Sequence, residues 1–149
     1  MTTGLVLSQL NFVVRDMDVT VAFYRRLGLP VEARPGAEHV AVHLPGLLLE
    51  FDSVDFVPQW DSGWRGSTGG TTVIGFAVAS RDAVDETYAA MTGAGYTGHQ
   101  PPYDAFWGAR YAILDDPDGN PVGIMSPIDE DRRTWPPTAP PRSRGAGAG

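Results

Sequence analysis

The sequence predicts an α+β fold in which two βαβββ modules form a curved mixed sheet around a shared cleft. Three observations lead to this prediction. The order of one strand, one helix and three further strands occurs twice along the 149 residues. Short apolar runs are bounded by Gly, Pro, Asn and Asp, which is typical of strands joined by tight turns. The two halves also align with each other at a nearly fixed spacing, which indicates a duplicated unit.

A shift of 64 residues aligns the first strand and the helix of the two halves. It places Phe12 on Phe76 and Tyr24 on Tyr88. At the last strands, a shift of 73 residues places Glu50 on Gly123. The sequence therefore predicts a first module at about residues 5–54, a linking loop at 55–70 and a second module at about 71–128.

The first module is predicted to begin with a strand at residues 7–15, where polar Gln9 and Asn11 alternate with apolar neighbours. Asp16 or Asp18 is predicted to cap the helix that follows, because short acidic side chains accept hydrogen bonds from the first helical turn. Three short strands are then predicted, at residues 30–34, 38–43 and 47–53.

The second module is predicted to repeat this order. A strand at residues 71–78 leads to a helix that Ser80 or Asp82 caps. A strand at residues 96–103 follows, and Pro101-Pro102 interrupts it because proline has no N–H to donate to a sheet.

A hairpin completes the second module. Its arms are predicted at residues 108–114 and 121–125, and the loop between them, Asp-Asp-Pro-Asp-Gly-Asn, is made of turn-forming residues. Phe106 and Trp107 come just before the first arm. Two adjacent rings at this place either stack on a flat ligand or pack into the core.

Composition excludes several classes of function. The formal net charge of −7 makes the chain a poor partner for nucleic acid. The absence of cysteine excludes disulfides and thiolate chemistry and fits a cytoplasmic location. No apolar run is long enough for a membrane span, so no membrane partner is predicted. Residues 129–149 are rich in Pro, Gly and Arg and are predicted to be a disordered tail.

The strand pattern predicts which polar side chains share the sheet face opposite the helix. Gln9 and Asn11 lie on that face of the first strand, and Glu50 lies on it between apolar Leu49 and Phe51. A carboxylate in so apolar a strand needs a polar partner or solvent. Glu50 is therefore open to three interpretations: a metal ligand, an acceptor for a bound molecule or a general base.

Large rings and one cation are the other candidates for ligand contact. They are Trp107, Phe106, Tyr103, Trp60, Trp64 and Arg110. Trp107 is the leading candidate for ring stacking, whereas the two tryptophans of the linking loop either cover the cleft or anchor the loop. Arg110 either donates to ligand carbonyls or pairs with a surface acid. His39 and His43 are interpreted as ordinary polar strand residues.

The duplicated pattern, the segment RDMDVTVAFYRRLGL and the segment DDPDGNPVGI resemble the vicinal oxygen chelate superfamily, which includes glyoxalase I, extradiol dioxygenases and bleomycin-binding resistance proteins. The resemblance covers about residues 5–128. For metal-dependent members of this superfamily, the resemblance implies four metal ligands, one on the first and one on the last strand of each module. The corresponding residues here are Gln9, Glu50, Val73 and Gly123.

Two of these four positions lack a side-chain donor. Val73 and Gly123 cannot bind a metal through a side chain, whereas Gln9 and Glu50 can offer oxygen to a hard divalent cation. Catalytic zinc usually has three protein ligands. The prediction is therefore a member of the family without a cofactor, with a divalent metal at Gln9 and Glu50 as the alternative.

The segments YDAFWGARYAILDDPDGN and WDSGWRGSTGG look most similar to the drug-sequestering, mitomycin-binding branch of the family. That likeness implies a homodimer that binds an aromatic or planar small molecule, as in antibiotic self-resistance, without turning it over. Two alternatives stay open. One is an enzyme of this family, either metal-dependent or with Glu50 as the base, and the other is a carrier of a biosynthetic intermediate.

Overall fold

Two separate mixed sheets, one in each half of the chain, confirm the predicted α+β class. The computed structural model describes residues 9–62, 64–70 and 72–134. These residues divide into two units, and the boundary between the units falls after Gly69. Neither helix in the described part of the chain has the length and apolar character needed to cross a bilayer.

The first unit contains a three-stranded sheet and one α-helix. Its elements are β1 (Gln9–Val14), α1 (Met17–Arg26), β2 (His39–Leu44) and β3 (Leu47–Ser53). In the strand order β1-β3-β2, β3 is parallel to β1 and antiparallel to β2. Asp16, one of the two predicted caps, begins α1 by accepting a hydrogen bond from the Val19 N–H at 3.1 Å.

Aromatic rings join this sheet to its helix. The ring centroid of Tyr24 on α1 lies 5.1 Å from that of Phe51 on β3, and the centroid of Phe12 on β1 lies 5.7 Å from the same ring. Tyr24 and Phe51 are fully buried, so they form the centre of the core. Because side chains alternate along a strand, the residues next to Phe12 and Phe51 project from the opposite face of the sheet.

The predicted strand at residues 30–34 is wrong. Both main-chain groups of Val31 are satisfied locally: its carbonyl accepts from the Arg25 guanidinium at 3.2 and 3.0 Å, and its N–H donates to the Leu29 carbonyl at 2.8 Å. Pro30 has no N–H to offer. The segment therefore joins no ladder, and the described first unit has three strands instead of four.

The second unit contains a four-stranded sheet and one α-helix. Its elements are β4 (Ile74–Ala77), α2 (Arg81–Gly93), β5 (Gly98–Asp104), β6 (Arg110–Asp115) and β7 (Pro121–Met125). The strand order is β4-β7-β6-β5, and only the β4–β7 pair is parallel among these described strands. Ser80 caps α2, since its hydroxyl accepts from the Ala83 N–H at 3.1 Å.

The internal repeat is visible in the register of the two parallel strand pairs. Asn11 lies opposite Glu50 in β1–β3, and Gly75 lies opposite Gly123 in β4–β7. These pairs are related by the same shifts of 64 and 73 residues that align the two halves of the sequence. The two units are therefore copies of one supersecondary pattern.

The loop between β6 and β7 is held together by Asp116. The buried carboxylate accepts from the N–H groups of Asp118 and Asn120 at 2.9 and 2.8 Å, and Gly119 takes a φ of +82° that glycine tolerates. In β5, the register against β6 shifts on both sides of Gln100, and the second shift spans the predicted interruption at Pro101-Pro102.

The first residues of the predicted disordered tail are ordered. Residues 129–134 include a short 3₁₀ helix, Glu130–Arg132, and they bond to the turn before β6. The Asp129 N–H donates to the Gly108 carbonyl, and the Thr134 N–H donates to the Phe106 carbonyl, both at 3.0 Å. The rest of the predicted tail, like the start of the predicted first strand, lies outside the described residues.

Candidate functional site

A polar cluster projects from the open face of the first-unit sheet. Asn11 lies opposite Glu50 across β1–β3, and His39 lies opposite Asp52 across β2–β3. Directly opposed residues share a face of the sheet, and so do Glu50 and Asp52, which are two positions apart on one strand. Strand register therefore brings these four side chains together, and we refer to them with Gln9 as the polar cluster.

Amide groups link the two carboxylates of the polar cluster. Glu50 Oε2 accepts from Gln9 Nε2 at 3.0 Å and from Asn11 Nδ2 at 2.8 Å. Asn11 Nδ2 also lies 3.0 Å from Asp52 Oδ2. A donor between two carboxylates offsets their mutual repulsion. The predicted shared face of Gln9, Asn11 and Glu50 is confirmed, while their role in binding a ligand stays a prediction.

His39 is held by Asp52 in one orientation. Its Nδ1 lies 2.5 Å from Asp52 Oδ1, and the Asp52 side chain is only 1% exposed whereas the imidazole is 40% exposed. An ionised carboxylate can only accept, so the proton of this hydrogen bond is assigned to Nδ1. Nε2 then faces Glu50, 3.9 Å from Oε1. His39 is a strand residue, as predicted, and it has two acidic neighbours that the sequence did not reveal.

A cavity of about 380 Å³ lies over the polar cluster. Its lining consists of the cluster with two rings from the segment after β3: Gln9, Asn11, His39, Glu50, Asp52, Phe56 and Trp60. The centroid of Phe56 lies 5.4 Å from the His39 ring, and Trp60 is 51% exposed. The volume falls within the range of small-molecule sites. Trp64 does not line the cavity, and its Nε1 donates to the Ser67 carbonyl at 3.1 Å.

Four half-buried rings of the second unit contact one another, and we call them the ring cluster. They are Tyr103, Phe106, Trp107 and Tyr111. Trp107 lies at the centre, with its centroid 5.2 Å from Phe106, 5.3 Å from Tyr111 and 6.4 Å from Tyr103, all edge to face. Such contacts fix the orientation of the rings, and all four residues stay partly exposed.

Tyr111 covers Gly123 on the neighbouring strand. A Cβ added at Gly123 would lie 2.6 Å from the Tyr111 hydroxyl oxygen and 3.0 Å from the ring. Only glycine avoids that overlap without moving the ring. Burial raises the pKa of the Tyr111 hydroxyl above 10.0. Burial and, to a lesser degree, the charge of Tyr111 also raise the pKa of Tyr103.

Arg110 projects from the opposite face of β6. Its guanidinium donates to Asp85 of α2 at 3.0 and 2.8 Å and to Asp104 at 3.2 Å. Burial acts to lower the pKa of Arg110, but hydrogen bonds and charges from the two acids outweigh burial and raise it. Since Arg110 faces the helix, Tyr111 belongs to the other face. The predicted ligand contact of Arg110 stays a prediction, and its position favours the surface-pair interpretation.

Sequence analysis missed three residues that surround the candidate sites. His39 had no signal of its own, because its contact with Asp52 depends on the β2–β3 register. Phe56 was not among the predicted contacts, although its place just after β3 brings it to the cavity. Tyr111 was not among the predicted contacts either, because its approach to Gly123 depends on the β6–β7 register.

A sequence model of the Glyoxalase/Bleomycin resistance protein/Dioxygenase superfamily matches residues 6–124. The chain belongs to this superfamily. The match includes the polar cluster and the ring cluster, so both candidate sites lie within the family's fold. Among curated proteins no match was found. The finer likeness to the mitomycin-binding branch stays a prediction.

Solved structures of the superfamily share this fold at low sequence identity. A glyoxalase-related enzyme from Fulvimarina pelagi has a TM-score of 0.72 and 19% identity, over 82% of this chain and 88% of its own. A family enzyme from Burkholderia phytofirmans PsJN has a TM-score of 0.69 and 22% identity, over 82% and 98%. A lactoylglutathione lyase from Agrobacterium tumefaciens has a TM-score of 0.60 and 17% identity, over 84% and 96%.

The residues at the superfamily's four metal positions do not fit a four-ligand centre. Gln9 and Glu50 offer oxygen donors, and they contact each other in the first unit. Val73 has only an alkyl side chain, and Gly123 is covered by the Tyr111 ring. The second unit therefore contributes no side-chain ligand from these two positions.

Proposed function

We propose that this protein binds a hydrophobic, partly planar small molecule and holds it without chemical change. The observation that carries the proposal is the Tyr111 ring over Gly123. At a position where metal-dependent relatives are expected to present a ligand, this chain presents an aromatic surface. The superfamily's usual metal chemistry needs donors that these residues do not supply, whereas binding by ring contact needs the rings that are present.

The ring cluster would supply the apolar contact surface. Trp107 has the largest ring, and the edge-to-face contacts with Phe106 and Tyr111 would hold its plane in place before a ligand arrives. A ring that is already oriented loses little conformational entropy on binding. Burying a drug-sized apolar face against such rings corresponds to micromolar or tighter affinity, about −8 kcal/mol.

The polar cluster would supply contacts of a different kind. Its cavity combines two carboxylates, two amides and an imidazole with the rings of Phe56 and Trp60. Such a lining can satisfy the polar edge of a ligand while its rings cover apolar atoms. The first unit thus supports small-molecule binding independently of the ring cluster.

Ligand binding and ligand recovery test the proposal together. Planar antibiotics and related natural products are titrated against the protein, and binding is measured by tryptophan fluorescence and calorimetry. After long incubation, mass spectrometry should recover the bound compound unchanged. Trp107→Ala should weaken binding at least tenfold, or about 1.4 kcal/mol, because the central stacking surface is lost.

The comparison variant is Trp64→Ala, because Trp64 belongs to the other unit and does not line the cavity, so this variant should bind as the unaltered chain does. Both variants are first checked for an unchanged melting temperature. If Trp107→Ala binds as tightly as the unaltered chain, the ring cluster is not the stacking surface. A modified product that accumulates with catalytic turnover would contradict sequestration itself.

An enzyme is the second candidate function. It is favoured by the pair of His39 Nε2 and Glu50 Oε1, which face each other over a cavity, and by the lyase among the structural neighbours. Glu50→Gln separates the two candidates. Under sequestration the variant should still protect cells from the bound compound, whereas an enzyme would lose its turnover. The carrier of a biosynthetic intermediate, also left open by the sequence, would behave like the sequestering protein in this test.

A further inference from the structure

We propose that the first unit holds a divalent transition-metal ion between His39 and Glu50, with Asp52 as the residue that orients the imidazole. These three side chains form the one group of potential metal ligands found among the described residues, and their ligand atoms lie within 4.8 Å of one another. The proposed site shares Glu50 with the superfamily's four positions, but it adds His39 on β2, and all its residues belong to one unit.

The hydrogen bond to Asp52 prepares His39 for metal binding. Histidine ligands in metalloproteins commonly donate their other ring N–H to a carboxylate, which fixes the tautomer and the ring plane. His39 shows this arrangement, with Nδ1 bonded to the buried Asp52 carboxylate at 2.5 Å. Nε2 is the nitrogen left with a free lone pair, and the ring is exposed enough to be reached from the cavity.

The distance to Glu50 suits a shared ion. His39 Nε2 and Glu50 Oε1 are 3.9 Å apart, too far for a hydrogen bond. Two ligands at about 2.0–2.2 Å from one ion lie up to about 4.2 Å apart, and a closing of roughly 0.5 Å would give a tetrahedral angle. Glu50 is held from its other oxygen by Gln9 and Asn11, which leaves Oε1 directed at the imidazole.

The donor set selects the class of metal. An imidazole nitrogen with a carboxylate oxygen suits Zn²⁺, Co²⁺ or Ni²⁺ better than Mg²⁺ or Ca²⁺, which prefer oxygen ligands alone. Gln9 lines the same cavity and can bring an amide oxygen to the ion if its side chain rotates. The remaining positions around the ion would be open to water or to oxygen atoms of a bound molecule.

His99 provides a matched comparison within the same chain. It also has Nδ1 bonded to a carboxylate, that of Asp115, at 2.8 Å, and its ring is similarly exposed. The described residues include no second carboxylate with His99 in a group of potential ligands. A histidine–carboxylate pair alone should therefore bind metal weakly, and only the pair facing Glu50 should form the site.

The test measures metal binding without any organic ligand. Tag-free, chelator-treated protein is titrated with Zn²⁺ by calorimetry and with Co²⁺ by visible absorption. We expect one ion per chain, and we expect His39→Gln and Glu50→Gln each to weaken binding at least tenfold. His99→Gln should bind as the unaltered chain does. Asp52→Asn should weaken binding about 10- to 100-fold, the usual effect of removing a carboxylate that orients a histidine ligand.

Nitrogen NMR distinguishes direct metal binding by His39 from a purely structural role. Zn²⁺ should shift the His39 Nε2 resonance and leave that of His99 unchanged. If Asp52→Asn does not fold, His39→Gln still tests the proposal, because His39 is exposed. The proposal is overturned if the unaltered chain binds no Zn²⁺ at 1 mM, or if His39→Gln binds it equally well. Neither result bears on ring stacking at Trp107, which the ligand titrations test separately.

Discussion

The Tyr111 ring packs directly over Gly123 on the second-unit sheet. The ring fills the space that any side chain at residue 123 would need, and Gly123 is buried beneath it. Gly75, directly opposite on β4, has open space at the corresponding point, since a Cβ there would meet nothing within 4 Å. Of these two paired glycines, only Gly123 has a neighbouring side chain that requires glycine.

Gly123→Ala should lower the free energy of unfolding by about 1–3 kcal/mol, because the added methyl group overlaps the Tyr111 ring. Gly75→Ala is the matched control and should cost far less. Urea denaturation of both variants measures the difference. In a Tyr111→Ala background, the penalty at residue 123 should largely disappear, as expected for two residues in direct contact. Equal penalties at the two glycines would contradict the overlap.

Stability should fall at high pH, partly through Tyr111. Burial raises the pKa of its hydroxyl in the folded state above the unfolded value of 10.0, so the folded chain keeps a proton that the unfolded chain releases. This contribution is complete below about pH 10 and is lost as pH rises through the folded-state pKa. Denaturation between pH 8 and pH 11 should show a shallower decline for Tyr111→Phe. An identical decline would indicate that the hydroxyl ionises freely in the folded protein.

The loop between β6 and β7 should contribute to the stability of the hairpin. Asp116→Ala should destabilise the protein by about 2–3 kcal/mol, since the N–H groups of Asp118 and Asn120 lose a buried acceptor. Asp115→Ala, one residue earlier, is the control, because that half-buried side chain pairs with exposed His99. Urea denaturation measures both. Similar losses for the two variants would mean that the Asp116 contacts do not stabilise the loop.

Elements with their own local signals were predictable from the sequence. The turn-rich loop placed β7 at Pro121–Met125 as predicted, and the caps Asp16 and Ser80 began the helices at predicted residues. The strand at residues 30–34 failed because Arg25, nine residues before its end, takes the Val31 carbonyl. Such a competing side-chain contact leaves no trace in local strand propensity.

The candidate sites were also predictable only where the signal was local to one strand. Alternation along β1 and β3 placed Gln9, Asn11 and Glu50 on one face, because that inference needs only the period of a strand. The contact of His39 with Asp52 needs the register between two strands, which a single sequence does not contain. The contact of Tyr111 with Gly123 needs it as well.

At the scale of the whole molecule, the superfamily resemblance predicts a homodimer. Size-exclusion chromatography with light scattering should give a mass twice that of the 16.0 kDa chain, at concentrations used for ligand binding. The likeness to the drug-sequestering branch also implies that the ligand-binding clefts are formed between the subunits. A stable monomer that still binds ligand at full affinity would contradict this prediction. The cytoplasmic location stays a prediction from the lack of cysteine.

The net charge of −7 should also affect which ligands bind well. An acidic body attracts cations over a distance that salt shortens, to about 8 Å at physiological ionic strength. The affinity for a cationic planar compound should therefore fall as NaCl is raised from 20 to 500 mM, while that for a neutral analogue should change little. Calorimetry at both salt concentrations measures the effect. Equal salt dependence for the two compounds would exclude a role for the overall charge.

The covering of Gly123 by Tyr111 restricts how this chain could change over evolutionary time. A carboxylate at residue 123 would place a Cβ inside the Tyr111 ring volume. A lineage acquiring that ligand would first have to shrink or displace Tyr111, and that step would dismantle part of the ring cluster before residue 123 could bind a metal. Such a lineage would therefore pass through an intermediate with a weakened ring cluster and no metal ligand at residue 123. A metal ligand on β2 of the first unit, at the position of His39, would not require this intermediate.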